Sequence, residues 1–431
     1  MKWLSARARI ACALLGILSV IEAVSAAEVN PPRGPLALDQ AVELALRRNP
    51  ELVASAYELS AARARITQAG LRPNPELATE LENFSGSGVA TGTDALETTL
   101  SLSQVIELGN KRGRRVGAAQ ADLDLVSVEQ RARQLDVLAQ VTAKFIDVVA
   151  AQERVRFAGL SRDLAQRTLD AISARVTAGR SPEAERSRAR IALLRAELDQ
   201  QQAQSELRGA RYAMSSLWGD VEPQFTDAQA DLFALPPVVP LAELTARIER
   251  NPDITRFASQ ARLREAELQL ARAQARPNLS LGIGLRRLEE TNDTALVAGF
   301  SMGIPVFDRN QGAIREAQVL RAQTDAERDA TLIRVRASLF ALYQQMTTAR
   351  ERVASLREQA LPQARIALDQ TQSGYDRGRF SFLELVTAQQ ELLELQSATI
   401  DAAADYHRLL AETERLTSEP LTTNDIEAPL P

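Results

Sequence analysis

The chain has 431 residues, 45% hydrophobic and 25% charged, which is enough to bury a large core, and only 4% are aromatic. Ala, Leu, Arg, Glu and Gln dominate, the composition of long helices or coiled coils. The formal charge of −5 lacks the basic excess of a nucleic-acid-binding domain and so excludes nucleic acid as a partner.

Residues 1–26 read as a secretory signal. Lys2, Arg7 and Arg9 form a basic start, residues 10–21 a short apolar run, and Val24-Ser25-Ala26 a cleavage site. Cys12, the sole cysteine, falls in the apolar run, and Arg9 stands where a lipidation motif needs an aliphatic residue. The mature chain is therefore expected to begin at Ala27 without cysteine, outside the cytoplasm. No later segment offers 18 uncharged apolar residues, which excludes a transmembrane helix but not a β-barrel, whose signal is weaker per segment.

From there the chain repeats itself. Arg48-Asn49-Pro50-Glu51 matches Arg250-Asn251-Pro252-Asp253, Arg72-Pro73-Asn74 matches Arg276-Pro277-Asn278, and Ala178-Gly179-Arg180-Ser181 matches the stretch Arg377 to Ser381. The offset stays near two hundred residues, the mark of an internal duplication. The first repeat is read as 27–235: a helix, a β-hairpin at about 76–106, and a long helical hairpin at about 110–219. The second, after the proline-rich joint of residues 233–240, is read as 236–418, with its β-hairpin at about 279–305 and its helical hairpin at about 310–418. Residues 419–431 are read as a flexible tail.

The β-hairpins announce themselves by a change of period. After Pro75, Leu77, Thr79 and Leu81 alternate with Glu76, Ala78, Glu80 and Glu82; on the return, Leu96, Thr98, Leu100 and Leu102 alternate with Glu97, Thr99, Ser101 and Ser103. In the second repeat Leu279, Leu281, Ile283 and Leu285 oppose Ser280, Gly282, Gly284 and Arg286, and residues 296–304 alternate likewise. Each strand is predicted at about 9–11 residues, the length that crosses a tilted bilayer span. Four strands cannot close a barrel, and backbone in lipid must be fully paired, so the chain is expected to oligomerise through its strands, with twelve strands from three copies giving a water-filled bore. Glu80, Glu82 and Glu97 fall on the polar side. They read either as a cation-favouring lumen or as the plain polar lining that a wet bore needs.

The segments between strands and turns are helical by period. Leu339, Tyr343, Met346, Ala349, Val353, Leu356 and Ala360 recur at steps of three and four. A helix over 312–374 is on the order of 90 Å long at ~1.5 Å per residue, and Pro362 inside it is expected to kink it or open a local bond. At the turns, Gly179 and Gly378 supply positive φ. Ser181 is expected to cap a helix with Pro182 in its first position, and Ser381 with Glu384 to form a capping box. The basic run Lys111, Arg112, Arg114 and Arg115 lies where strand gives way to helix, the place for outer-membrane lipid phosphates.

With duplicated halves, the "RNPEL" start and the tip motif "GYDRGRFSFLELVTAQQELL" at residues 374–393, the mature chain resembles the TolC family of outer-membrane efflux proteins over essentially its whole length. The segment "LSQVIELGNKRGRR" at residues 102–115 is similar to the strand-to-helix junction of the CzcC-like, heavy-metal branch. The resemblance implies a mainly helical chain with a β-barrel part. Three copies build a periplasmic tunnel and one shared 12-stranded outer-membrane barrel. It also implies a periplasmic adaptor and an inner-membrane RND pump as partners, and passive export of divalent heavy-metal cations of the cobalt, zinc and cadmium type, with no catalysis and no cofactor.

By the same resemblance, Tyr375, Glu384 and Glu185 occupy gate positions, with Glu384 in an acidic entrance ring whose mutual repulsion is expected to raise its pKa. The tips Gly179, Arg180, Ser181, Gly378, Arg379 and Ser381 would dock the adaptor. The chain departs from the family pattern at Phe380, where a gate Arg occurs, and at Thr387, where a second acid occurs, so a different latch is expected. Glu384 also keeps its simpler role as a helix cap. His407 is the only histidine, so no His or Cys metal site is expected in the mature chain. His407 and Trp218 are read as structural. The rival readings are a duct for multidrug efflux or type I protein secretion, and a periplasmic coiled-coil adaptor, which would carry one hairpin and no membrane-length strands.

Overall fold

The computed structural model describes residues 33–419 and 421; the signal reading of residues 1–26 and most of the tail lie outside the described residues. The first repeat opens with α1 (Leu38–Arg48) and α2 (Pro50–Ala69). They part at Asn49, whose backbone is extended and whose side chain accepts from the N–H of Glu51 (2.9 Å) and Leu52 (3.1 Å). Pro50 takes the first helical position, where no N–H is required. The second repeat does the same with α5 (Leu241–Ile248) and α6 (Pro252–Gln274), where Asn251 accepts from Asp253 N–H at 2.7 Å. The two side-chain amides reach onward: Asn49 donates to the Leu217 carbonyl (2.8 Å), and Asn251 to those of Arg415 (3.0 Å) and Leu416 (2.8 Å). The duplicated Arg-Asn-Pro motif thus pins the start of each repeat to its own far end, and both asparagines are buried.

Next come β1 (Glu76–Glu82) and β2 (Glu97–Glu107), and in the second repeat β3 (Asn278–Leu288) and β4 (Asp293–Met302). They form one antiparallel sheet in the order β1-β2-β3-β4. The register pairs Glu82 with Glu97, Thr99 with Arg286, and Leu285 with Leu296. β1 has 7 residues, short of the predicted length, because Asn83 turns to a left-handed φ of 57° and ends it. The other three, of 10 or 11 residues, reach that length. Leu77, Leu81, Leu100, Ile283, Leu285, Leu296 and Phe300 stand exposed on a single face. β1 and β4 each pair on one side only.

Each strand pair feeds long helices. α3 (Lys111–Thr177) runs for 67 residues, on the order of 100 Å, and α4 (Glu183–Ser215) returns beside it. In the second repeat α7 (Gln311–Ser355) passes through a π turn, Leu356–Ala360, into α8 (Leu361–Asp376), and α9 (Phe382–Thr417) returns. The π turn answers the expectation at Pro362. Proline lacks an N–H and crowds the carbonyl one turn back, so the backbone widens just ahead of it and restarts with Pro362 in the first turn of α8. α3 and α7 both begin at an asparagine in the left-handed region, Asn110 (φ 58°) and Asn310 (φ 57°), which Asn tolerates better than other non-glycine residues.

The core is distributed along the helices. One cluster gathers Trp218, Phe145, Met214 and Leu36; a second gathers Leu244, Leu339, Met346 and Tyr406, and takes in Leu421. A third, at the far end of the hairpins, holds Leu169, Ile172, Leu193, Tyr375, Phe382 and Leu385. The proline-rich joint is strapped down by its carbonyls. Tyr406 Oη donates to Pro236 (2.5 Å), Arg357 Nη1 to Phe233 (3.1 Å), and His407 Nε2 to Leu232 (3.0 Å). Burial pushes the His407 pKa below its ordinary value, so the ring is neutral and its Nε2–H is the donor.

Asn251→Ala removes a helix cap and takes the side-chain donor from two part-buried carbonyls, a loss of about 2 kcal/mol. Asn251→Ser keeps the capping oxygen and should recover part of that loss. Thermal inactivation in detergent at a fixed scan rate should rank them wild type, Ser, Ala.

Candidate functional site

The two helical tips are built alike. α3 closes with Gly179 at φ 69°, whose N–H donates to the Val176 carbonyl (2.9 Å) while Arg180 N–H donates to Arg175 (2.8 Å). α8 closes with Gly378 at φ 73°, with Gly378 N–H on the Tyr375 carbonyl (2.9 Å) and Arg379 N–H on Gly374 (2.8 Å). Both are Schellman caps, which need a residue free to enter the left-handed region. The predicted tip residues Gly179, Arg180, Gly378 and Arg379 are all exposed.

Between the tips the structure brings Tyr375 and Glu185 together. Tyr375 is buried in the third core cluster, and its Oη donates to Glu185 Oε2 at 3.2 Å. Sequence reasoning missed the third member, Arg175. Its guanidinium lies over the Tyr375 ring, 4.5 Å from the centroid, and Nη1 donates to the Tyr375 carbonyl at 3.2 Å. Arg175 Nε also donates to Ser181 Oγ at 3.3 Å. Burial pushes the Tyr375 pKa up, opposed by a hydrogen bond from Ser181 and reinforced by the Glu185 charge, so the phenol stays protonated and remains a donor. Arg175 carried only a weak signal, a basic residue in the last turn before Gly179 in a chain rich in arginine.

One expectation about the tips is corrected. Ser181 does not cap α4: Pro182 holds that position with no side-chain cap, and the Ser181 hydroxyl is turned toward Arg175 and Tyr375. Glu384 does form its capping box, accepting from Ser381 N–H (2.6 Å) and Oγ (2.7 Å), while Ser381 Oγ accepts from Glu384 N–H (3.3 Å). Those bonds, the backbone one foremost, pull the Glu384 pKa below the ordinary value in the single chain. At the departure point Phe380, the aromatic ring lies so close to Gly374 that a Cβ there would overlap it. Thr387 hydrogen-bonds its own helix at the Leu383 carbonyl (3.0 Å).

On the sheet, the face opposite the exposed leucines carries a hollow of 370 Å³ lined by Glu80, Thr99, Ser101, Ser280 and Arg286, among others. Of the three predicted glutamates on this face, two are engaged. Arg286 Nη1 donates to Glu97 Oε2 (2.7 Å), Nη2 lies 3.0 Å from Glu82 Oε2 in ion-pair contact without hydrogen-bond alignment, and Nε donates to Thr99 Oγ1 (2.9 Å). Glu80 has no ion pair among the described residues. The basic run also divides. Lys111 is buried with Nζ on Asn278 Oδ1 (2.6 Å), and Arg115 Nη2 donates to Glu107 (2.9 Å), while Arg112 and Arg114 stay exposed.

Duplicated helical hairpins of this length, joined to a sheet that is apolar on one face and open at both edges, define a membrane channel with a long helical extension. The chain belongs to the outer membrane efflux protein family, whose profile matches residues 41–220 and 245–417, the two repeats in turn. It is 32% identical to the cobalt-zinc-cadmium resistance protein CzcC of Cupriavidus metallidurans, over 88% of this chain and 90% of that one. It is 27% identical to the nickel and cobalt resistance protein CnrC of the same organism, over 76% of each chain. Among solved structures, that of CusC shares the fold with a TM-score of 0.75 at 17% identity, over 88% of this chain and 91% of that one. The protein is thus an outer-membrane efflux channel whose helices extend into the periplasm, in a family of passive channels.

Tyr375→Phe deletes the bond to Glu185 but keeps the ring under Arg175, and should loosen the tip by about 1–2 kcal/mol. Limited proteolysis should then cut faster around residues 177–182 than in wild type, with cleavage elsewhere unchanged.

Proposed function

We propose that three copies of this chain form one duct, with a shared 12-stranded barrel in the outer membrane and the helical hairpins as a periplasmic tunnel. We propose further that the duct works with a periplasmic adaptor and an inner-membrane RND-type pump to export divalent heavy-metal cations. The observation that carries the assembly is the pair of open sheet edges, β1 and β4, on a sheet with an exposed apolar face. Lipid offers no hydrogen-bond partners, so those edges need strands from other copies. Uncovered apolar rows on the helices point the same way: Ile191, Leu194 and Leu198 on α4, and Val319, Ile333 and Phe340 at heptad spacing on α7. The cargo rests on similarity to CzcC and CnrC, both named for metal resistance.

In this reading Tyr375, Glu185 and Arg175 are the latch that holds the tips closed. Arg175 supplies the cation that the family pattern places at the position of Phe380, and the exposed tips around Gly179 and Gly378 receive the adaptor. Arg112 and Arg114 are the members of the basic run left free for lipid phosphates.

Native mass measurement of the detergent-solubilised protein should give a trimer; a stable monomer or dimer overturns the assembly. Cells relying on this chain with its pump and adaptor should lose metal resistance on deletion. Gly378→Val, which forces a β-branched residue into a left-handed turn at a cost of roughly 1 kcal/mol or more, should also lose efflux while still assembling. Normal resistance with Gly378→Val argues against docking at the tips.

Glu384→Gln separates ring from cap, because Gln keeps the capping box and removes the charge. The Glu384 pKa is depressed, so its contribution to the cap is in force above the unfolded value and fades only as pH falls through the lower folded one. At neutral pH the variant should therefore keep its helix and lower cation preference in planar-bilayer reversal potentials. An unchanged potential leaves Glu384 as a cap alone.

A further inference from the structure

We propose that Arg286 keeps the outer mouth of the bore from becoming a trap for divalent cations. The proposal rests on the reading of the polar sheet face as the lumen. Glu82 and Glu97 are direct partners across β1 and β2, so their Cβ atoms stand about 5 Å apart and their charges repel. Two carboxylates at that separation are hard oxygen ligands suited to a divalent ion. Arg286 reaches them from β3, the next strand over, and contacts both carboxylates while its Nε is fixed on Thr99. The planar guanidinium hydrogen-bonds one acid and a hydroxyl while standing in ion-pair contact with the second acid, a geometry that the point charge of a lysine does not offer. The cluster carries one net negative charge per chain in place of two.

Its position gives this neutralisation a function. The turns at residues 83–96 and 289–292 cap the same end of the sheet as Glu82, Glu97 and Arg286, while α2, α3, α6 and α7 all join the opposite end. An exported ion meets the cluster last. Conduction requires binding weak enough for the ion to leave, and a bare carboxylate pair at the exit would hold it. Glu80, two residues inward on the same face and without an ion pair among the described residues, leaves the bore mildly acidic without a facing acid to complete a chelate.

The test uses the full-length protein in planar bilayers under a KCl gradient, with Zn²⁺ added to the side of the strand turns. Arg286→Gln should raise the cation-over-anion permeability ratio roughly twofold or more and should be blocked by Zn²⁺ at concentrations that leave wild type conducting. The block should vanish in the triple variant Arg286→Gln, Glu82→Gln, Glu97→Gln. Glu82→Gln with Glu97→Gln leaves the guanidinium unpaired and should shift preference toward anions. Arg286→Gln channels with wild-type selectivity and no Zn²⁺ block overturn the proposal. If Arg286→Gln does not insert, the paired glutamine variant decides, and an unchanged permeability ratio there overturns it. A protein that is a stable monomer or dimer by native mass measurement overturns the bore reading itself, whereas a pore indifferent to these variants overturns only the role of Arg286.

Discussion

A β-strand in a hydrocarbon layer has nowhere to send its backbone N–H and C=O groups except to another strand. Four strands in the order β1-β2-β3-β4 satisfy the interior of the sheet and leave its two outer edges open. With Leu77, Leu100, Ile283, Leu296 and Phe300 turned to one side and serines, glycines and charges to the other, the sheet has an apolar face and a polar face but no closure. That requirement organises the helices too. β2 feeds α3 almost directly and α6 feeds β3, so any arrangement that closes the sheet also sets the helices side by side.

Duplication makes such a chain economical to specify. Asn49 and Asn251 do one job twice, capping a helix with the side-chain oxygen and tying down the end of a long helix with the side-chain amide. Gly179 and Gly378 each close a Schellman cap with the same hydrogen-bond pattern. The repeats differ where their settings differ. The second carries the π turn before Pro362 and the packing of Phe380 on Gly374; the first supplies Arg175 and Glu185 to hold Tyr375.

Carboxylates at both ends of the molecule are held by neighbouring groups, through hydrogen bonds at the tips and through a guanidinium in the sheet. At the tips the Ser381 backbone and hydroxyl hold Glu384 in a cap; in the sheet Arg286 holds Glu82 and Glu97. Among the described residues no cluster of His, Cys, Asp or Glu has the makings of a metal site.

The sequence alone determined the duplication, the helical hairpins, the positive-φ glycines, the Ser381–Glu384 box and the break at Pro362. Each is a local matter, written in hydrophobic period or in the conformational limits of a few adjacent residues. It also placed Glu80, Glu82 and Glu97 on one face, because strand alternation is local as well. The ion pairing of Glu82 and Glu97 was not legible: Arg286 lies 189 residues from Glu97 in the chain, and only the register of β2 on β3 brings them together. The same holds for Arg175, which meets the Tyr375 carbonyl across 200 residues, and for Ser181, drawn from its expected capping role toward Arg175 and Tyr375. Local propensity fixes what a segment becomes, whereas which charges meet depends on how segments far apart in the chain are packed, and only the tertiary structure decides that.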